Sequence, residues 1–316
     1  MKARNSIVVV VLLLGLSWVI LSATNSFQKL SYTSLNETDE VIGDADIDKI
    51  SVRNNETFGV KLPQNISFAG EAVPMHDMDV RESLDRELIV NSYWHSSTIL
   101  MLKRAYRWLP IIEPILRENG VPDDFKYLAM AESGLQDVVS PAGASGFWQF
   151  LKSAGKENGL VINSEVDERY HVEKATEAAC KYLKQAHDKF GSWTMAAASY
   201  NMGMTGLQNQ IDRQKQSNYY DLLLNSETGR YVYRILAIKS IHTAPLDFGF
   251  NLDPSDMYQP YPYKVFLIDN SVPSWPDFCA QNNITYKDLK MLNPWLREAN
   301  LTNSENREYK IKVLEK

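Results

Sequence analysis

Apolar residues three and four apart begin at about Leu84 and recur, with interruptions, to about residue 245. That is the helical period, and almost no two-residue alternation competes with it. Leu84–Leu109 predicts a first helix that Pro110 interrupts, followed by a second, IIEPILRENG, closing on Gly120. VPDDFKYLAMAESG predicts a third, with Pro122 at its start and acidic residues in its first turn. FWQFLKSAGKEN, VEKATEAACKYLKQAHDKFG, TMAAASYNMG and ETGRYVYRILAIKSIH continue the pattern. After residue 262 it changes. YKVFLI and REYKIKV alternate as strands, and between them lie two short helical pieces, the second opened by Thr285 and Asp288 at capping-box spacing. The expected fold class is mainly α, a helical domain followed by a small α+β module.

Other stretches lack such a period. Lys2 and Arg4 precede the uncharged apolar run 6–23, which reads as an export signal and, left uncleaved, as a membrane anchor. Residues 26–83 are polar and read as a flexible tether; their two NET and one NIS sequons carry no weight in so Asn-rich a stretch. Residues 246–262, rich in proline, read as a second linker. The expected organisation is therefore signal or anchor at 1–25, tether at 26–83, helical domain at 84–245, linker at 246–262 and α+β module at 263–316.

Composition narrows the function classes. A net charge of −6 over 316 residues argues against a nucleic-acid partner. Two distant cysteines, Cys180 and Cys279, exclude a disulfide framework and read as buried thiols. None of the five histidines stands in a metal-binding pattern, so neither metal nor other cofactor is expected.

The candidate chemistry begins at Glu132. In YLAMAESG it continues the stripe of Phe125 and Leu128, at spacings of three and seven, while Asp123 and Lys126 fall on the solvent stripe. Gly134 ends the helix and leaves Glu132 in its last turn. Burial and the negative end of the helix dipole both raise a carboxyl's pKa, which suits a general acid; a glutamate bridging to a buried cation is the plain alternative. Three further places put polar groups at helix ends. SPAGASGFWQF (140–150) packs small residues into a tight loop before Trp148, which is suited either to line a sugar site or to fill the core. AAASYNMG brings Tyr200 and Asn201 to a helix end, and Glu227 starts a helix with Tyr231 on its next turn.

Taken in order, Glu132-Ser133, Ser140 to Gln149, Tyr200-Asn201-Met-Gly203, and Glu227-Thr228 with Tyr231-Val232 resemble the motifs of the soluble-lytic-transglycosylase (SLT) family. The resemblance covers about 85–245 and is nearest the membrane-bound type D branch, which joins this domain to LysM modules. It implies a goose-lysozyme-like fold and peptidoglycan glycan strands as substrate. It implies that Glu132 is the single catalytic acid and base, and that Ser140, Gln149, Tyr200, Asn201 and Glu227 bind substrate. The implied activity is that of a lyase, cleaving the N-acetylmuramic acid–β-1,4–N-acetylglucosamine bond with formation of 1,6-anhydro ends, in the cell envelope on the periplasmic side. Trp148-Gln149-Phe150 departs from the family's usual Met-Gln-Ile but keeps the glutamine. The last module resembles a divergent LysM, with Asp269-Asn270-Ser271 where Gly-Asp-Thr is usual; glycan binding and a structural role both stand open for it. A hydrolytic muramidase and a non-catalytic wall-binding scaffold are the alternative functions.

Overall fold

The computed structural model describes residues 59–315; the expected signal or anchor at 1–25 and most of the tether lie outside them. Among the described residues no helix is long and apolar enough to cross a membrane. The tether was expected to run to residue 83, but the chain is folded well before that. Ser67–Phe68 (β1) and Glu71–Ala72 (β2) form a tight antiparallel hairpin through Ala69 and Gly70, both at positive φ. Phe68 anchors it, fully buried and edge-on to Phe125 at 5.2 Å, with Val73 buried just beyond β2. Polar bonds do the rest. The backbone N–H of Ala69 donates to Asp124 at 2.7 Å, and Lys239 donates to the Ser67 carbonyl at 2.8 Å. Scattered apolar residues such as Ile66, Phe68 and Val73 in a polar run carry no helical or strand period, which is why the stretch reads as tether.

The helical domain follows as α1 (Met78–Tyr93), α2 (His95–Glu118), α3 (Lys126–Ser133), α4 (Lys152–Glu157), α5 (Val172–Phe190), α6 (Trp193–Met202), α7 (Met204–Gln214) and α8 (Thr228–Thr243). Pro110 does not interrupt α2. It and Pro114 lie inside the helix, and Pro110 sits on the exposed side with Tyr106, whose carbonyl it leaves without an N–H donor. Leu109, Ile112 and Leu116 are buried across the same stretch and hold the helix together. The break comes instead at Trp94, between α1 and α2. FWQF is not helical: Gln149 takes a φ of 48°, and α4 starts only at Lys152.

Helix α3 lies at the centre, packed against α2 and α8, while α1 lies along α8 and α5 lies against α2 and α6. Its environment corrects the amphipathic reading. Lys126, expected on a solvent stripe, is buried and bonded to Glu113 at 2.8 Å and Asp123 at 2.6 Å. Tyr127, Leu128, Ala129 and Met130 are buried too, so protein covers α3 on nearly every side. The paired cation makes a nominally polar position compatible with the interior.

In the C-terminal module, β3 (Tyr263–Ile268) pairs antiparallel with β4 (Tyr309–Leu314), Tyr263 opposite Leu314, around α9 (Trp275–Gln281) and α10 (Tyr286–Leu292). The expected strand–helix–helix–strand order holds. The core of this module is not its own alone. Val166 and Tyr170, from the segment between α4 and α5, are buried among Trp275, Leu289, Trp295, Leu296 and Ile311. The carboxylate of Glu165 accepts from the Thr302 backbone N–H at 2.6 Å and from Asn300 Nδ2 at 2.8 Å. The stretch 246–262, expected as a linker, is laid down on the helical domain: Phe250 is buried, and Arg107 bonds the Gln259 carbonyl at 2.9 Å and stacks over the Tyr261 ring. Cys180 and Cys279 are buried free thiols in α5 and α9.

Candidate active site

Glu132 sits in the last turn of α3. Gly134, at a φ of 59°, closes the helix in the left-handed conformation, its N–H donating to the Met130 carbonyl at 2.8 Å. Arg104 Nε donates to the Gly134 carbonyl at 2.6 Å and fixes the turn. Ser133 ties the helix end to the next loop: its hydroxyl donates to the Phe147 carbonyl at 2.9 Å and accepts from the Leu135 N–H at 3.1 Å.

That loop, 138–150, is held by its own polar groups. Ser140 Oγ accepts from the Ala144 N–H at 3.0 Å, and Gln149 Nε2 donates to the carbonyls of Gly146 at 2.8 Å and Val138 at 3.0 Å. Gly146, at a φ of 76°, rests on the backbone of Arg169; a Cβ there would lie 1.8 Å from the Arg169 carbonyl oxygen. Arg169 in turn bonds both oxygens of Asp167 and donates to the Gly143 carbonyl at 3.0 Å. Trp148, one of whose readings was a sugar-lining residue, is fully buried and donates through Nε1 to Thr176 Oγ1 at 2.9 Å. It belongs to the core.

Glu132 is half-buried as a residue, but its carboxyl group is enclosed, and burial pushes its pKa up to about 7. Tyr231 of α8 donates a hydrogen bond to Glu132 Oε1, which together with the positive charge of Arg234 opposes that rise; the charge of Glu227 adds to it. Burial and the nearby Glu132 charge hold the Tyr231 and Tyr200 hydroxyls well above their usual range, so both stay protonated. Tyr200 spends its hydroxyl on the Trp148 carbonyl at 2.8 Å, bracing the loop from the side of α6. Asn201 stands at the end of α6 beside the start of α8: its Oδ1 accepts from Thr228 Oγ1 at 2.8 Å and its Nδ2 reaches Glu227 Oε1 at 3.4 Å.

The fold thus gathers Glu132, Tyr200, Asn201 and Glu227 at facing helix ends, with Ser140 and Gln149 in the loop pinned to them through Ser133 and Trp148. One participant escapes the sequence reading, and another was named there without a role. Tyr231, named in the fourth motif but given no role, has its hydroxyl on Glu132. Arg234 reads as a surface charge; its spacing of three from Tyr231, which sets both on one side of α8, is the signal for it. Among the described residues no group of His, Cys, Asp and Glu side chains is arranged to hold a metal ion.

Residues 110–223 match the family described as the transglycosylase SLT domain. The chain contains an SLT domain. The match takes in Glu132, the 138–150 loop and the Tyr200-Asn201 pair, and ends before Glu227 and Tyr231, which the fold nonetheless brings to the same place. Residues 264–316 match the soluble lytic transglycosylase C-terminal LysM-like domain, so the α+β module behind the SLT domain is LysM-like. Over 190 residues the chain is 28% identical to the membrane-bound lytic murein transglycosylase D of Escherichia coli strain K12, and equally to that of strain O6:H1. The aligned part is 58% of this chain and 41% of each relative, so the chain spans well under half the length of the curated proteins it matches.

Proposed function

We propose that the chain is a peptidoglycan lytic transglycosylase of the cell envelope, cleaving the bond between N-acetylmuramic acid and N-acetylglucosamine and leaving a 1,6-anhydro end. The observation that carries this reading is Glu132 within an SLT domain: one carboxyl, enclosed at a helix end, whose pKa of about 7 lets it hold a proton near neutral pH and release it. A group so tuned serves as acid and then as base. Glu132 gives its proton to the glycosidic oxygen as the bond breaks, and the N-acetyl oxygen of the muramoyl residue stabilises the anomeric carbon. The Glu132 carboxylate then accepts the proton of the C6 hydroxyl as that oxygen closes on the anomeric carbon.

Tyr231 supports the second half of this cycle, because its hydrogen bond favours the ionised carboxylate. Ser140 and Gln149 present the loop to the strand, while Asn201 and Glu227 face Glu132 from the opposite helix ends. Tyr200 acts through its hold on the Trp148 carbonyl. The charged start and apolar run of residues 1–25, read as signal or anchor, support a site of action outside the cytoplasm, in keeping with relatives described as membrane-bound.

Digestion of purified peptidoglycan followed by mass analysis tests the reaction. Anhydro-muramoyl products are expected; reducing ends alone assign a muramidase, and no products assign a scaffold. Tyr231→Phe probes the tuning. Losing the bond to the ionised form raises the Glu132 pKa further, so the limb of the kcat–pH profile where the acid form disappears moves to higher pH. The rate at the optimum falls by about tenfold, the scale of one hydrogen bond to a charged group. A profile that does not move breaks the assignment of that limb to Glu132.

A further inference from the structure

One charged cluster touches the reaction as described only through the charge of Arg234 on Glu132. Glu87 of α1 is fully buried against α8 and faces three arginines. Its Oε1 accepts from Arg86 at 2.5 Å and from Arg230 Nε at 2.7 Å. Its Oε2 is buried with no hydrogen-bond partner, and the nearest nitrogen of Arg234 stays 3.8 Å from it. Arg234 makes no hydrogen bond among the described residues, so its five donors are uncommitted although two thirds of its side chain is covered.

One carboxylate against three guanidiniums leaves the cluster in positive excess, and the excess survives when Glu227 is counted. Glu227, Arg230 and Arg234, at spacings of three and seven, form one stripe along α8, flanking the Tyr231 that bonds Glu132. The charge of Arg234 is felt at Glu132 itself. A guanidinium two thirds covered, with unused donors and one helical turn from the Tyr231 that bonds the reacting carboxyl, is a receptor for a planar anion, since its fork matches a carboxylate in bidentate geometry.

We propose that Arg234, with Arg230 and Arg86 beside it, binds a carboxylate carried on the muramoyl side of the glycan strand, so that the site takes strands by their acidic substituents as well as by their sugars. This rests on the reading of the chain as a peptidoglycan-cleaving enzyme. Two sources supply such a group: the peptide attached to the muramoyl lactyl arm, and the lactyl arm itself once the peptide is removed. The substituent does not react. It fixes which sugar lies over Glu132, because only the muramoyl residue bears it.

The test measures binding of soluble strands by calorimetry to the full chain carrying Glu132→Gln, which removes turnover, with Arg234 intact or changed to Gln or Lys. Three strand preparations are compared: native, native with every carboxyl amidated, and stripped of peptide so that only the lactyl carboxylate remains. With Arg234 intact, native strands bind about tenfold more tightly than amidated ones, the order of one charge-assisted hydrogen-bond pair. With Arg234→Gln that ratio falls to near one, and with Arg234→Lys it recovers in part. Stripped strands that bind like native ones assign the lactyl carboxylate; stripped strands that bind like amidated ones assign the peptide. A native-to-amidated ratio unchanged by Arg234→Gln overturns the proposal. Failure of the unsubstituted chain to cleave any strand overturns the enzymatic reading instead, and leaves the binding ratio to decide the carboxylate site by itself.

Discussion

Replacing Glu132 by glutamine is expected to lower kcat by about 10³-fold, within the range that positioned acid–base groups contribute. Glutamine keeps the shape and accepts the Tyr231 hydrogen bond, but neither gives nor takes the proton. The same substitution is expected to stabilise the protein above neutral pH. Burial raises the Glu132 pKa to about 7 from an ordinary value of 4.5, so between those values the folded state binds more protons than the unfolded one. Stability contributed by this group is therefore full at low pH and is lost as pH rises towards 7. At pH 8 the native protein carries an enclosed charge that the Gln variant lacks, and the variant should be more stable by on the order of 2 kcal/mol. Thermal melts of both proteins at pH 5 and pH 8 check this: the difference should open at the higher pH. Equal melting curves at both values would mean that Glu132 is not held near neutral by its surroundings.

The second large effect is expected at Gly146. Alanine there meets the Arg169 carbonyl oxygen at 1.8 Å and must also hold a φ of 76°. A backbone atom cannot swing aside as a side-chain end does, so the loop or the Arg169 segment has to move, at a cost of about 3 kcal/mol or more. Gly143 is the internal control. Its φ of 81° is similar, but nothing lies within 4 Å of the position its Cβ would take. Gly143→Ala should therefore cost only the left-handed conformation, about 1–2 kcal/mol. Differential scanning calorimetry should find Gly146→Ala the less stable by several degrees, with activity lost beside it, since Gln149 hangs from the Gly146 carbonyl. Matching losses at the two glycines would sink the packing argument.

Most of the α-helices were legible because an apolar stripe is a local signal with a fixed period. Helix α7 was not: of its residues only Leu207 is buried, and a helix with one buried position has no stripe. Pro110 was misread because its local cost is offset by three buried neighbours that only the tertiary fold supplies. At the site, a glutamate followed by a helix-stopping glycine was visible from spacing. The reason it is enclosed was not. A one-sided stripe suggested itself, whereas α3 is covered on nearly all sides and its lysine is neutralised by Glu113 and Asp123, one of them in another helix. The tuning of Glu132 by Tyr231 and Arg234 joins residues about a hundred positions apart, a relation no local pattern records.

Val166 and Tyr170 have a bearing on avidity. Two binding modules on a flexible tether gain from an effective concentration set by tether length, and each can release and rebind while the other holds on. Here the LysM-like module borrows those two side chains to complete its interior, and Glu165 grips the stretch around Asn300 and Thr302. There is no slack between the two parts to set such a concentration. The pair is built as a caliper rather than a leash: the span from Glu132 to the surface of the module is set by packing and not by tether length.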